Sequence, residues 1–258
     1  MPALILLAGG KSTRFGRPKQ LEPVGPRGEA LLDLTLRDAF AAGCTDAVIV
    51  VRPEHGTEFA ERFVEDRRVR IIVQHEARGT AHAVMLALDH VHGTAITANG
   101  DDHYGKEALQ LAVDHALHAD PQVHALVAFH LANTLSPGGG VNRAVCTTDI
   151  HGLLLFTEEV TGLYAGPDGI SGPDGRTWPP DTMVSMNLWV FRPALFPLFR
   201  TLYAAHVPTN GEFGLPNVVA DAIAQQHRFV LVRTAAQWCG LTHPADAEIV
   251  RRELSRQP

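Results

Sequence analysis

Short apolar runs recur through the first half of the chain, each separated from the next by a longer segment with helical spacing of its apolar positions. Residues 3–8 (ALILLA), 46–52 (DAVIVVR), 69–74 (VRIIVQ), 94–98 (TAITA) and 122–130 (QVHALVAFH) read as strands. The segments at about 29–42, 56–66, 80–91 and 105–118 read as helices between them. Continuous apolar runs, as opposed to strict alternation, suit parallel strands covered on both faces. Repeated βα units of this length predict a doubly wound α/β sheet. Ligands in such sheets bind beyond the carboxyl ends of the strands. The loops at 9–28, 75–80 and 99–105 are therefore where chemistry is expected.

After residue 132 the texture changes. SPGGG (136–140) reads as a turn, followed by a strand pair around 141–149 and 153–159. GPDGISGPDG (166–175) duplicates a turn element and reads as a surface excursion, being far too short for a repeat unit. MVSMNLWVF (183–191) returns as a strand, with helices near 193–206 and 212–226, a strand at 228–233 and a last helix at 244–256. The whole predicts one α/β domain, Rossmann-like and three-layered, with a mixed, mostly parallel sheet.

Composition narrows the function classes. The net charge is −6, and of 22 basic residues only Lys11, Lys19 and Lys106 are lysines, with no basic block. A nucleic-acid-binding surface is not expected from this. No apolar run reaches the ~18–20 residues that span a bilayer, so no membrane partner is expected. MPALILLAGG lacks a basic leader and a cleavage pattern, and cytoplasmic residence is the expectation. Cys44, Cys146 and Cys239 are odd in number and widely spaced, which fits neither a disulfide framework nor a zinc site.

The densest chemistry lies in LLAGGKSTRFGRPKQL (6–21). Gly9, Gly10 and Gly16, the hydroxyls of Ser12 and Thr13, and the cations Lys11, Arg14, Arg17 and Lys19 follow directly on the first strand. Glycines let backbone approach a polyanion, while N–H groups and cations neutralise it. The run is not a P-loop, which would need glycine where Ile5 stands, and the glycine spacing is not that of a dinucleotide fingerprint.

A-x-G-x-[GS]-x-R followed by P-K resembles the opening motif of the nucleotidyltransferases that activate sugar phosphates. LAGG-x-S-x-R also resembles the molybdenum-cofactor guanylyltransferase branch of that superfamily. The resemblance implies a loop of Ala8, Gly9, Gly10 and Lys11 around an NTP triphosphate, with Arg14 and Lys19 as catalytic cations. VQHEARGTAHAVMLAL (73–88) resembles the Q-x4-G-T-x-[HQ]-A segment that meets the nucleobase, implying Gln74, Gly79 and Thr80 as base readers. An amide suits that task because donor and acceptor lie in one plane; Thr80 can also cap the helix that starts there. TANGDDHYG (97–105) resembles the metal-binding element and implies Asp101 as the Mg²⁺ ligand. Asp102 is open between orienting the loop, capping the next helix and a water-bridged metal contact.

The resemblance continues through the second half. GVNRAVC…GLLLFTEEV (140–160) implies acceptor contacts at Gly140, Arg143 and Glu159, and SMNLWVF (185–191) implies Asn187. A buried strand asparagine could equally be a structural amide. GEFGLPNVVADAI (211–223) and WCGLTHPADAEIVRREL (238–254) resemble a bacterial subgroup similar to UTP–glucose-1-phosphate uridylyltransferases. Two positions depart from the common pattern: Thr242 stands where many relatives bring a second metal ligand, and Val160 stands where many have lysine.

The resemblance implies a nucleotide-binding half over 1–131 and an acceptor-binding half over 132–258. The expected activity is nucleotidyl transfer from an NTP to a sugar 1-phosphate or similar phosphorylated acceptor, with Mg²⁺ as cofactor. UTP is the first expectation, then CTP or dTTP, with GTP implied by the guanylyltransferase-like loop. Transfer to a cyclitol or cofactor phosphate is the alternative within enzymes, and a non-catalytic nucleotide-sensing domain is the rival class. A homo-oligomer is compatible with all of these. The rare lysines fit the picture: Lys11 and Lys19 fall in the triphosphate loop, and Lys106 follows the Asp101 motif.

Overall fold

The computed structural model of the chain describes residues 1–10, 18–136, 139–166, 169–206, 211–241 and 246–255. In order, the first half forms β1 (Ala3–Ala8), α1 (Leu31–Ala42), β2 (Asp46–Val51), α2 (Gly56–Arg62), β3 (Val69–Val73), α3 (Thr80–Leu88), β4 (Ala95–Asn99), β5 (Asp102–His103), α4 (Lys106–His118) and β6 (Val123–His130). The second half forms β7 (Val141–Thr148), β8 (Leu154–Gly166), β9 (Gly169–Ser171), β10 (Thr177–Trp178) and β11 (Met183–Phe191). It closes with α5 (Phe196–His206), α6 (Leu215–Ala224), β12 (Arg228–Thr234), β13 (Cys239–Gly240) and α7 (Asp246–Leu254).

Among the described residues one mixed sheet runs in the order β10-β9-β8-β7-β11-β4-β1-β2-β3, with β6 beside β11 and β12 beside β6. β1 is parallel to β2 and β4, β2 to β3, and β6 to β12. β11 runs antiparallel to β4, β6 and β7 and so ties the two halves into one sheet. The period of two explains the layers. Leu4, Leu6 and Ala8 of β1 face a core shared with α1 and α4, while Ala3, Ile5 and Leu7 face one shared with α3, α5 and α6. A third cluster joins Leu31 and Leu34 of α1 to Cys239, Leu241 and the α7 residues Ala247, Val250 and Leu254.

Strand 3–8 and strand 183–191 have the bounds their patterns predict, the strand expected at 153–159 runs on to Gly166, and the other expected elements differ by up to about four residues at their ends. One expectation is corrected. The GPDGISGPDG stretch is more than a surface turn, because β9 lies inside it, pairs with β8 and β10, and buries Ile170. A second feature has no local signal. Arg192 is buried, and its guanidinium donates to the carbonyls of Ala116 (2.7 Å), His115 (2.9 Å) and Ala119 (3.1 Å) at the end of α4. The last carbonyls of a helix lack a full set of intrahelical donors; here the His115 carbonyl also accepts the Ala119 amide (3.1 Å), and the guanidinium serves the others.

Candidate functional site

Four segments meet beyond the carboxyl ends of β1 and β4. β1 runs out at Ala8 into Gly9 and Gly10, and the Gly100 amide behind them donates to the Leu7 carbonyl (2.9 Å). Lys19 opens a 3₁₀ turn, and its Nζ forms an ion pair with Asp101 and donates to the Leu241 carbonyl (2.8 Å). The Leu241 amide donates in turn to the Asp101 carbonyl (3.0 Å). β13 pairs antiparallel with β5, setting Gly240 opposite Asp102. A Cβ on Gly240 would lie 2.5 Å from both Asp102 Oδ1 and the Trp238 ring, so only glycine lets the chain pass between them.

The adjacent aspartates have different fates. Asp101 keeps a partly exposed carboxylate beside Lys19. Asp102 is buried and accepts hydrogen bonds from Asn99 Nδ2 (2.8 Å), with the Tyr104 hydroxyl 3.3 Å away. Burial, and then the charge of Asp101, push its carboxyl up to about 7. Asn99 thus holds the Asp102 carboxylate within the loop, and the residue at the cap position of α4 is Gly105 and not Asp102. The donor chemistry fits one hard cation at Asp101. Mg²⁺ is commonly held by one or two carboxylates with phosphates and water completing its shell. Among the described residues no cluster of three or more His, Cys, Asp or Glu could cage a metal alone. Lys11 and Arg14, expected around the triphosphate, and Thr242, expected near the metal, lie outside the described residues. Lys106 is exposed at the first turn of α4.

Gln74 follows β3, is buried, and has its amide orientation set. Nε2 donates to the Gly79 carbonyl (3.2 Å) and lies 3.1 Å from His82 Nδ1. The His82 ring stacks on Tyr203 at 4.7 Å. Oε1 stands against Gly9, where a Cβ would come within 3.0 Å of it. The amide thus presents an acceptor beside the glycine loop. Gly79 has φ +102° and takes the cap position of α3, so the expected Thr80 cap is corrected. The Thr80 hydroxyl instead accepts the Leu215 amide at the start of α6 (3.0 Å).

A cleft of about 260 Å³ continues from Asp102 across the second half, lined among others by Asn99, Arg143, Glu159, Asn187, Pro216 and Trp238. It brings together three of the four expected acceptor residues. Gly140 lies apart, packed on the Gly162 backbone and lining a neighbouring cavity of about 400 Å³. Arg143 lies over the Trp238 ring (4.7 Å), donates to the Thr134 hydroxyl (3.1 Å) and also to the Thr134 carbonyl. Burial pushes its guanidinium down to about 10, against the charges of Asp102 and Glu159, so it stays cationic at neutral pH. Asn187 has φ +62° and sits in the irregularity between Ser185 and Trp189 where β11 shifts register against β6. Trp189 Nε1 donates to its Oδ1 (3.4 Å). That bulge turns a residue out of a buried strand, a common device beside functional sites. Sequence reasoning missed Trp238, Asn99 and Tyr104. For Trp238 the W-x-G spacing was visible, but the partner beneath it was not.

Residues 4–154 match the model of the MobA-like NTP transferase domain. Curated relatives include the bifunctional protein GlmU of Corynebacterium efficiens, 36% identical over 110 residues, covering 38% of this chain and 22% of that protein. GlmU of Alkalilimnicola ehrlichii is 41% identical over 103 residues, covering 39% and 20%. The matched stretch thus spans about a fifth of the length of these relatives. Two solved structures share the fold over nearly the whole chain. The inositol-1-phosphate CTP transferase from T. maritima has a TM-score of 0.72 at 13% identity, covering 98% of this chain and 96% of that one. A putative glucose-1-phosphate thymidylyltransferase from Bacillus anthracis has a TM-score of 0.73 at 13% identity, covering 100% and 97%.

Proposed function

The chain belongs to the family of MobA-like NTP transferase domains, and on that premise we propose that it transfers a nucleotidyl group, uridylyl first, to a sugar 1-phosphate or similar phosphorylated acceptor. An acceptor phosphate oxygen forms the new bond to the α-phosphorus, the bond from that phosphorus to the bridging oxygen breaks, and pyrophosphate leaves. A phosphate monoester has its second pKa near about 6, so the nucleophile is already largely dianionic at neutral pH and needs no general base. What the protein must supply is alignment and charge neutralisation.

The observation that carries this reading is the meeting of Lys19 and Asp101, 82 positions apart in the chain, with the Lys19 side chain beside Gly10. Lys19 is the cation for the triphosphate as negative charge moves onto the leaving group, with Arg14 as its expected companion. Asp101 is the residue that would hold Mg²⁺, which when bound offsets the repulsion between the two phosphates. Residues 1–131 serve the nucleotide and 132–258 the acceptor, with Arg143, Glu159 and Asn187 along the acceptor cleft and Gly140 outside it, in the neighbouring cavity.

The preference for UTP is supported by Gln74. Its Nε2 is turned to the Gly79 carbonyl, which leaves Oε1 as an acceptor. Uracil offers a ring N–H to such an acceptor, as thymine and guanine also do, whereas cytosine has an unprotonated ring nitrogen at that edge, so the acceptor weighs against CTP and leaves dTTP and GTP to the assay. The test is pyrophosphate release with Mg²⁺ from UTP, CTP, dTTP and GTP against a panel of hexose, cyclitol and cofactor phosphates. Release should be fastest with UTP and should fall roughly 10²–10³-fold in Lys19→Ala and Asp101→Ala. Near-normal release in either variant would overturn the assignment. Nucleotide binding without release from any pair would favour a sensing domain.

A further inference from the structure

The turn expected to read the nucleobase is fastened on its far side to the wall of the acceptor cleft. The Phe213 amide donates to the Arg78 carbonyl (2.7 Å), and the Ala81 amide donates to the Phe213 carbonyl (3.0 Å). Between these bonds Gly79 passes so close that a Cβ would lie 2.4 Å from the Phe213 carbonyl oxygen. Two residues on, the Leu215 amide donates to Thr80 Oγ1 (3.0 Å). Leu215 is the first residue of α6, whose cap position is held by Gly214, a residue without a side-chain acceptor. The amides of a first helical turn lack intrahelical partners. Thr80 supplies one across 135 positions of sequence. Pro216, the next residue, lines the cleft that holds Arg143, Glu159 and Asn187.

We propose that the Thr80 side chain is a positioning residue for the acceptor, acting through the first turn of α6, so that its loss is felt at the acceptor and not at the nucleotide. The inference rests on the reading of the 260 Å³ cleft as the acceptor site. The hydroxyl accepts the Leu215 amide, and the residue it steadies leads straight to Pro216 in the cleft wall. Replacing threonine by valine keeps the shape and removes the acceptor. Loss of a capping side chain typically costs enough for about a fivefold change in an equilibrium. The loss should therefore appear where α6 matters, at the acceptor. The base turn itself keeps its backbone bonds to Phe213.

The experiment compares wild type, Thr80→Val and Thr80→Ser in steady-state kinetics with the nucleotide and acceptor varied separately. Amide hydrogen exchange at Leu215 is followed in the same proteins. In Thr80→Val the acceptor KM should rise about fivefold with the nucleotide KM unchanged, and Leu215 should exchange about fivefold faster. Thr80→Ser keeps the hydroxyl and should restore both. A rise in nucleotide KM, alone or with that of the acceptor, overturns the proposal, as does unchanged exchange at Leu215. Faster exchange with an unaltered acceptor KM also overturns it. Absence of any transfer by wild type would defeat the functional reading, and the exchange measurement would still report on the clamp by itself.

Discussion

Gly79→Ala tests how tightly the base turn is tied to the second half of the chain. Two penalties add. At φ +102° and ψ 176°, a region essentially confined to glycine, an alanine costs about 1–3 kcal/mol in backbone strain. Its Cβ would also lie 2.4, 2.8 and 2.9 Å from the backbone oxygen, carbon and nitrogen of Phe213. That backbone cannot step aside cheaply. It is bonded to Arg78 and Ala81, and the Phe213 ring packs on Tyr203 and His206 at 5.6 and 5.4 Å. Breaking two backbone hydrogen bonds adds about 1–3 kcal/mol. The total is about 2–6 kcal/mol, or a fall in melting temperature of roughly 10 °C for a chain of this size. Gly28→Ala is the control, because φ is +84° there and nothing lies within 4 Å of the added Cβ. It should show the strain alone, about 1–2 kcal/mol. The assay is thermal unfolding followed by circular dichroism, with nucleotide titration of the surviving fold. Equal losses in the two variants would refute the reasoning, since the contact with Phe213 would then carry no weight.

Two further outcomes follow from buried polar groups. Gln20 is 1% exposed beneath Gly10, and among the described residues neither amide atom has a hydrogen-bond partner, so Gln20→Leu should raise stability by about 1–2 kcal/mol in urea unfolding. A destabilised variant would contradict this. His124 accepts the Arg192 amide at Nδ1 (3.0 Å), and burial, then the charges of His227, Arg192 and His115, push its imidazole down to about 3. It is neutral in the folded protein while the unfolded chain takes up a proton below the usual value of 6.5. Its share of stability is therefore full above that value and is lost as pH falls toward 3. Between pH 7 and pH 5 this amounts to roughly 2 kcal/mol, which His124→Gln should largely abolish from the pH dependence of unfolding. A variant with the wild-type slope would show that the acid sensitivity lies elsewhere.

Much of the architecture was legible locally, and particular residues show why. The run ALILLA could be read as a covered strand because all six residues are buried, odd and even positions facing different cores. The glycine pair, Gln74 and Asp101 could be singled out because each closely follows a strand end, where fold class alone says ligands bind, and Lys19 because it lies further along the loop that the glycines open. Asp102 was not legible. Its neighbour in sequence is a candidate metal ligand, yet Asp102 itself is buried, bonded to Asn99 and raised in pKa, none of which a local pattern signals. Gly140 matched its motif and still lies outside the cleft, since the β7–β8 pairing lays it against Gly162.

By itself the sequence determined the alternation of strands and helices, the α/β class and the order in which the chemical groups appear along the chain. Each of those rests on interactions between residues a few positions apart or on the apolar period of one element. Tertiary structure decided the rest: that Lys19 meets both Asp101 and Leu241, that Trp238 carries Arg143, that Arg192 closes α4, and that Thr80 holds Leu215. These contacts join side chains and backbone groups separated by roughly 75 to 220 positions. Which donor meets which acceptor at such distances depends on how the sheet is ordered and where β11 crosses between its halves, and no local period encodes that.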